Sequence, residues 1–170
     1  MRPLRTLVAV LPLVLALPGC GLQPLYAGGG HGPVAQSLRS VSVGPIAGKA
    51  GWLVRTSLED RLGGRADAGA RYRLDVLLDD NITAFGIRSD DAPTRERRTL
   101  RARYKLIEQE TGTVVLDATA GSDVGIDVVS SEYATVAAEQ TALERLSKLL
   151  ADQIVTRVAL YARNQGRGGR

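Results

Sequence analysis

Five cations, Arg95, Arg97, Arg101, Arg103 and Lys105, fall at odd-numbered positions of one segment and form the clearest chemistry-bearing pattern in the chain. In an extended strand, residues two apart share a face, so this spacing predicts a ladder of positive charge along one side. Arginine forks bond phosphate and carboxylate oxygens in pairs, and several along one strand suit a headgroup that bears both. A second reading stands beside it. Asp75 and Asp79 upstream, and Asp117 and Asp123 downstream, alternate in the same way and would neutralise the row across a sheet. The pattern alone does not choose between a binding row and an internally paired one.

Other reactive constellations are missing. His31 is the only histidine and Cys20 the only cysteine, so neither a His/Cys metal site nor a Ser-His-Asp or Cys-His arrangement is available. Asp79-Asp80-Asn81 and Asp90-Asp91 are oxygen-rich but have neither the ligand spacing nor the distal glutamate of a calcium loop, and they read as solvated turns. There is no phosphate-binding Gly-rich loop, dinucleotide fingerprint or GxSxG elbow, so no cofactor is expected. The basic row has no interleaved aromatics, apart from Tyr104 on the opposite face, which argues against nucleic acid.

Cys20 has a use of its own. Arg2 and Arg5 precede an apolar run from Leu7 to Leu17, and Leu17-Pro18-Gly19 leads into the cysteine. This is the layout of a secretory signal over residues 1–19, too short for a spanning helix, with a small-residue cleavage site. The site resembles the lipobox of bacterial lipoproteins, in which the cysteine becomes the acylated first residue of the mature chain. A lone cysteine suits lipid attachment better than disulfide use, which calls for pairs. Each buried CH₂ of an acyl chain contributes roughly 0.8 kcal/mol, so a multiply acylated Cys20 would hold the protein to its bilayer.

The mature part, about 150 residues, suits one domain. Of the whole chain 44% is apolar but only 4% aromatic, so the core is expected to be aliphatic. The formal charge of +4 falls to +2 without Arg2 and Arg5, so the placement of charge carries more information than its sum. Residues 20–38 are expected to be a lipidated flexible tether, since Gly21 to Pro33 holds five glycines and two prolines.

Residues 39–163 then read as one domain. Ser40 to Ile46 is a valine-rich strand ended by Gly44-Pro45, and Trp52 to Leu62 a helix with Val54, Leu58 and Leu62 on one stripe, stopped by Gly63-Gly64. Three long strands follow. Arg71 to Phe85 buries Tyr72, Leu74, Val76 and Leu78; Arg95 to Glu108 buries Leu100, Ala102, Tyr104 and Leu106; Thr113 to Val128 follows a hairpin turn at Glu110-Thr111-Gly112. A long helix over Glu132 to Arg163 carries Val136, Leu143, Leu146, Leu150, Ile154, Val158 and Tyr161, and 164–170 reads as a frayed basic tail. The order β-α-β-β-β-α predicts an α+β two-layer sandwich: a four-stranded mixed sheet, its first pair parallel, with two helices packed on one face.

The start of the mature chain, Cys20-Gly21-Leu22-Gln23-Pro24-Leu25-Tyr26, resembles that of the lipopolysaccharide-assembly lipoprotein family LptE, which opens with Cys-Gly-Phe and then Pro-Leu-Tyr or similar. Leu22 stands where that family often has Phe. The predicted element order agrees with the family fold. The resemblance implies a non-enzymatic lipoprotein on the periplasmic side of the outer membrane. It implies a partner, the β-barrel LptD, which the family plugs and helps to assemble, and a shared task, passing lipopolysaccharide to the outer leaflet. Within the family, lipopolysaccharide binding is attributed to basic residues; here that points to Arg101, Arg103 and Lys105, with Arg97 nearer the loop. Loops Phe85 to Pro93 and Val128 to Tyr133 would be partner contacts. Two alternatives are an auxiliary lipoprotein of another envelope lipid-transport or peptidoglycan-synthesis complex, and a lipid-anchored hydrolase.

Overall fold

The computed structural model describes residues 31–64, 69–87, 93–129 and 131–168. Cys20, the segment before it, most of the tether and residues 88–92 of the first partner loop lie outside the described residues. The chain runs α1 (Pro33–Arg39), β1 (Val41–Val43), α2 (Gly48–Leu62), β2 (Tyr72–Ile87), β3 (Pro93–Glu108), β4 (Val114–Asp127) and α3 (Glu132–Gly168). Among the described residues no helix is long and apolar enough to cross a membrane.

Alternation makes the sheet. The strands lie in the order β1-β2-β3-β4, with β1 parallel to β2 and the rest antiparallel. Leu74 sits opposite Leu106, Val76 opposite Tyr104 and Leu78 opposite Ala102, and on the other side Leu106 faces Leu116 and Tyr104 faces Ala118. Even-numbered residues of the three long strands therefore share the inner face, against which the helices pack, as the period-two pattern predicts, except at the start of β4, where a bulge opposite Leu106 and Ile107 turns Val115 inward and leaves Val114 exposed. Tyr104 is enclosed there, and burial raises its pKa. The sheet is the expected mixed, four-stranded one, in an α+β two-layer arrangement.

The helices follow from their stripes. In α2, Val54, Leu58 and Leu62 are buried and one turn apart. Gly51 begins this contact: a methyl group there would lie 2.5 Å from the Ile46 carbonyl oxygen, so only glycine lets the helix approach the β1–α2 connection this closely. The helix stops where expected, and the Gly64 N–H donates to the Glu59 carbonyl at 2.8 Å. In α3, Leu143, Leu146, Leu150, Ile154 and Val158 are enclosed, joined by Ala151, Val155 and Ala159. Arg61 of α2 is ion-paired with Asp152 of α3, and each shifts the other toward its charged form.

Three features depart from the expectation. A third helix, α1, occupies the end of the expected tether: Pro33 takes a first-turn position, and Val34 and Leu38, one turn apart, enter the core beside α3. Two apolar residues after a glycine-rich run are too few to announce a helix, yet tertiary burial suffices to hold them. At the other end, α3 continues through residues 164–168 of the expected basic tail, with Gln165 Nε2 donating to the Tyr161 hydroxyl one turn back at 2.9 Å. Finally, Val136 is 55% exposed and Thr135 is buried in its place. The first turns of α3 lie over a polar part of the sheet, so the apolar stripe begins only at Ala142.

Candidate functional site

The odd-numbered cations do share the outer face of β3. Arg97, Arg101, Arg103 and Lys105 are exposed there, with Arg95 at the end of the row. On this face β2 contributes Asp75, Leu77, Asp79 and Phe85, and β4 contributes Asp117, Thr119, Gly121, Asp123 and Asp127. The internally paired reading holds for three of the five cations, and the other two stand apart from it.

Three cations are partnered across to β4. Arg95 Nε donates to Asp127 Oδ1 at 3.2 Å. Arg97 Nε lies 3.6 Å from Asp123 Oδ2, and its guanidinium sits 5.4 Å from the centre of the Phe85 ring. Arg103 forks onto Asp117, Nε to Oδ1 at 3.2 Å and Nη2 to Oδ2 at 3.0 Å. That fork, with Lys105 nearby, holds the Asp117 carboxyl below its ordinary pKa and raises that of Arg103. Register explains the choice. Arg97 and Arg103 face Gly125 and Thr119 directly, so each reaches the aspartate diagonally two residues along.

Arg101 and Lys105 make no ion pair with any described residue. Lys105 faces Asp75, but Asp75 is held by Arg73 on its own strand through two bonds of 2.9 and 3.0 Å. Arg101 faces Asp79 on one side and Gly121 on the other. A Cβ at Gly121 would stand 3.1 Å from Arg101 Cγ, so the glycine makes room for the arginine stem to lie against β4. Around it is a broad depression of about 700 Å³ whose walls include Leu77, Asp79, Thr99, Thr119 and Asp123. It offers the guanidinium of Arg101, the hydroxyls of Thr99, Thr119 and Ser122 and an exposed leucine, the means to hold an anion with an apolar neighbour, beside the carboxylates of Asp79 and Asp123.

Arg98 belongs to the opposite face and a different task. Its even number places it inward, a signal legible in the sequence that the odd-numbered row left aside. Its guanidinium forks onto Asp80, Nε to Oδ1 at 2.9 Å and Nη2 to Oδ2 at 2.6 Å, and Nη1 donates to the Glu139 carbonyl at 2.9 Å. This tie joins β2, β3 and α3, and the Asp80 bonds raise the Arg98 pKa. Among the described residues no group of three or more His, Cys, Asp or Glu side chains could hold a metal ion.

A small two-layer α+β domain, with helices on one face and an open charged sheet on the other, is the architecture of several solved bacterial lipoproteins. A candidate lipoprotein from Caulobacter crescentus CB15 is 27% identical, with 79% of this chain and 98% of that one covered and a TM-score of 0.64. A minor lipoprotein from Acinetobacter baumannii matches at 15% identity, 71% and 90% coverage and TM-score 0.58. Rare lipoprotein B from Shewanella oneidensis matches at 12%, 74% and 98% coverage and TM-score 0.54. The last two likenesses show the fold alone. No curated protein matches. Residues 38–158 match the LptE family, described as lipopolysaccharide-assembly, and the chain belongs to that family of non-enzymatic lipoproteins.

Proposed function

We propose that this protein is a lipopolysaccharide-assembly lipoprotein of the outer membrane, anchored through acylated Cys20 and facing the periplasm, that partners and plugs an LptD-like β-barrel. It catalyses no reaction; its work is to support assembly of the barrel and the export of lipopolysaccharide to the outer leaflet. The observation that carries this reading is the family match over 38–158 on a rigid body with a polar, charged outer sheet face. A plug in a polar lumen needs such a surface.

Direct lipopolysaccharide contact is part of the proposal, centred on Arg101, with Lys105, Arg103 and Arg97 along the same row. Arg101 is the cation whose fork is not occupied by a described carboxylate, and it sits in the depression beside Leu77. The pairs of Arg97 and Arg103 are exposed and screened by solvent, and so weak enough for a phosphate-bearing ligand to recruit those arginines as well.

The first test is a mild-detergent pulldown of C-terminally tagged protein from its own membranes, with partners identified by mass spectrometry. A stoichiometric large β-barrel is expected. A dominant inner-membrane transporter or cell-wall synthase would overturn the barrel assignment. For the ligand, Arg101→Ala should weaken lipopolysaccharide binding about tenfold, the equivalent of one lost charge-assisted hydrogen bond, while Arg95→Ala leaves it nearly unchanged.

A further inference from the structure

The sheet has two edges, and the fold treats them differently. On β4, the Gly121 N–H donates to Gln153 Oε1 at 3.2 Å and the Gly121 carbonyl accepts from Gln153 Nε2 at 3.4 Å. A side-chain amide from α3 thus occupies that edge as a neighbouring strand would. On β2 there is no counterpart. β1 covers only Tyr72 to Leu74, where the Tyr72 N–H donates to the Ser40 carbonyl at 3.0 Å and the Leu74 carbonyl accepts from the Gly44 N–H at 2.9 Å. Even-numbered residues of β2 therefore direct their backbone groups outward, while odd-numbered ones bond β3. Beyond β1, Val76 is still buried, but the N–H and C=O groups of Leu78, Asp80, Ile82 and Ala84 face away from the sheet, with no hydrogen bond to a described residue.

We propose that this free edge, Leu78 to Ala84, is a docking edge that takes an extended, basic strand of a partner protein by adding it to the sheet. At about 3.4 Å per residue the seven residues span roughly 24 Å, enough for four alternate rungs. Natural edges that must stay unpaired carry charged side chains, especially lysine, proline, a bulge or an inward-pointing charge. This stretch has no lysine, proline or bulge, its pairing with β3 runs without a register shift, and its inward charge, Asp80, is engaged by Arg98. It exposes Ile82, 40% accessible, and Leu77, 75% accessible, stands just before it. The chemistry of the occupant follows from charge. The only ionisable groups of the stretch are Asp79 and Asp80. Asp80 is engaged by Arg98, whereas Asp79 makes no ion pair with a described residue. A strand with a basic side chain opposite Asp79 and an apolar one beside Leu77 complements the edge. A second copy of this chain would bring two such aspartate pairs within a few rungs of each other, so the partner is a different protein. The inference goes beyond the proposed function and does not depend on it, since strand addition uses the β2 backbone and no lipopolysaccharide, although Leu77 and Asp79 also border the depression around Arg101.

The test is amide exchange by NMR on the full chain in detergent, with a nine-residue peptide alternating Lys with Val and Thr, and a matched peptide carrying Glu in place of Lys. The basic peptide is expected to slow exchange at Leu78, Asp80, Ile82 and Ala84 tenfold or more, and the acidic one to leave it unchanged. Ile82→Pro removes an outward N–H without removing a bond to β3, and should abolish the slowing while the odd-numbered amides stay protected. Should that variant fail to fold, Asp79→Lys decides: preference should pass to the acidic peptide. Equal slowing by both peptides, no slowing confined to even positions, or slowing that tracks protein concentration together with a dimer in sedimentation would each overturn the proposal.

Discussion

The β2–β3 hairpin is built twice over from the same alternation, with opposite results. In its near half, Leu74, Val76, Ala102, Tyr104 and Leu106 point inward and are buried under the helices. In its far half, every residue from Asp79 to Gly86 is exposed, although the ladder of paired residues continues from Asp79 opposite Arg101 to Ile87 opposite Pro93. Inward positions there are Asp80, Ile82, Ala84, Glu96 and Arg98, and only Arg98 ties that face to α3. The difference teaches that strand length here is set by backbone pairing with β4, which runs to Asp127 opposite Arg95, while stability is set by the half with a core. On β2 the far half is surface on both sides, while on β3 the inward Arg98 is largely enclosed and Glu96 lies beside the buried Ile126.

The comparison can be broken or sharpened in four ways. The largest effect is expected at the boundary: Leu100→Ala, from a fully enclosed position, should cost roughly 2–5 kcal/mol in urea unfolding. Arg98→Ala should cost about 2 kcal/mol, because it strands Asp80 and the Glu139 carbonyl and is the far half's tie to the helix layer. A loss as large as that at Leu100 would mean the far half is part of the core unit. Ile82→Ala should stay within about 0.5 kcal/mol, as for an exposed position. The smallest effect is electrostatic. Asp117 has its folded pKa lowered, so the contribution of its pair with Arg103 is present above the ordinary carboxylate range and is lost as pH falls through the folded value. In Arg103→Ala, an NMR titration should find the Asp117 carboxyl moved back up, with the unfolding midpoint at neutral pH almost unchanged.

Much of this architecture was legible in the residues. Alternation placed β2, β3 and β4, and the three-to-four spacing from Leu143 to Val158 placed the buried stripe of α3, because both are direct images of burial. What was not legible depended on contacts distant in sequence. Val34 and Leu38 make a helix only because α3 is there to receive them. Val136 fits the stripe but lies beyond the core's end, which no local pattern marks. In the candidate site, the parity of Arg101, Arg103 and Lys105 gave the face, and the register decided the rest: a two-residue slip of β4, which keeps its faces, would put Asp123 opposite Arg101 and carry Asp117 away from Arg103. Cys20 and its lipidation rest on the sequence alone.

The long C-terminal helix has a consequence in time. It supplies Leu143, Leu146, Leu150, Ala151, Ile154, Val155, Val158 and Ala159 to the core, and it is synthesised after every other described element of the domain. Until it arrives, Leu74, Leu100, Tyr104 and Leu106 line a sheet face covered only by the short α1 and α2, with two strand edges beside it. Gln153, the side chain that occupies one of those edges, arrives with the same helix. The nascent domain is therefore at its stickiest just before this helix emerges, and its closure is a single late event rather than a gradual one.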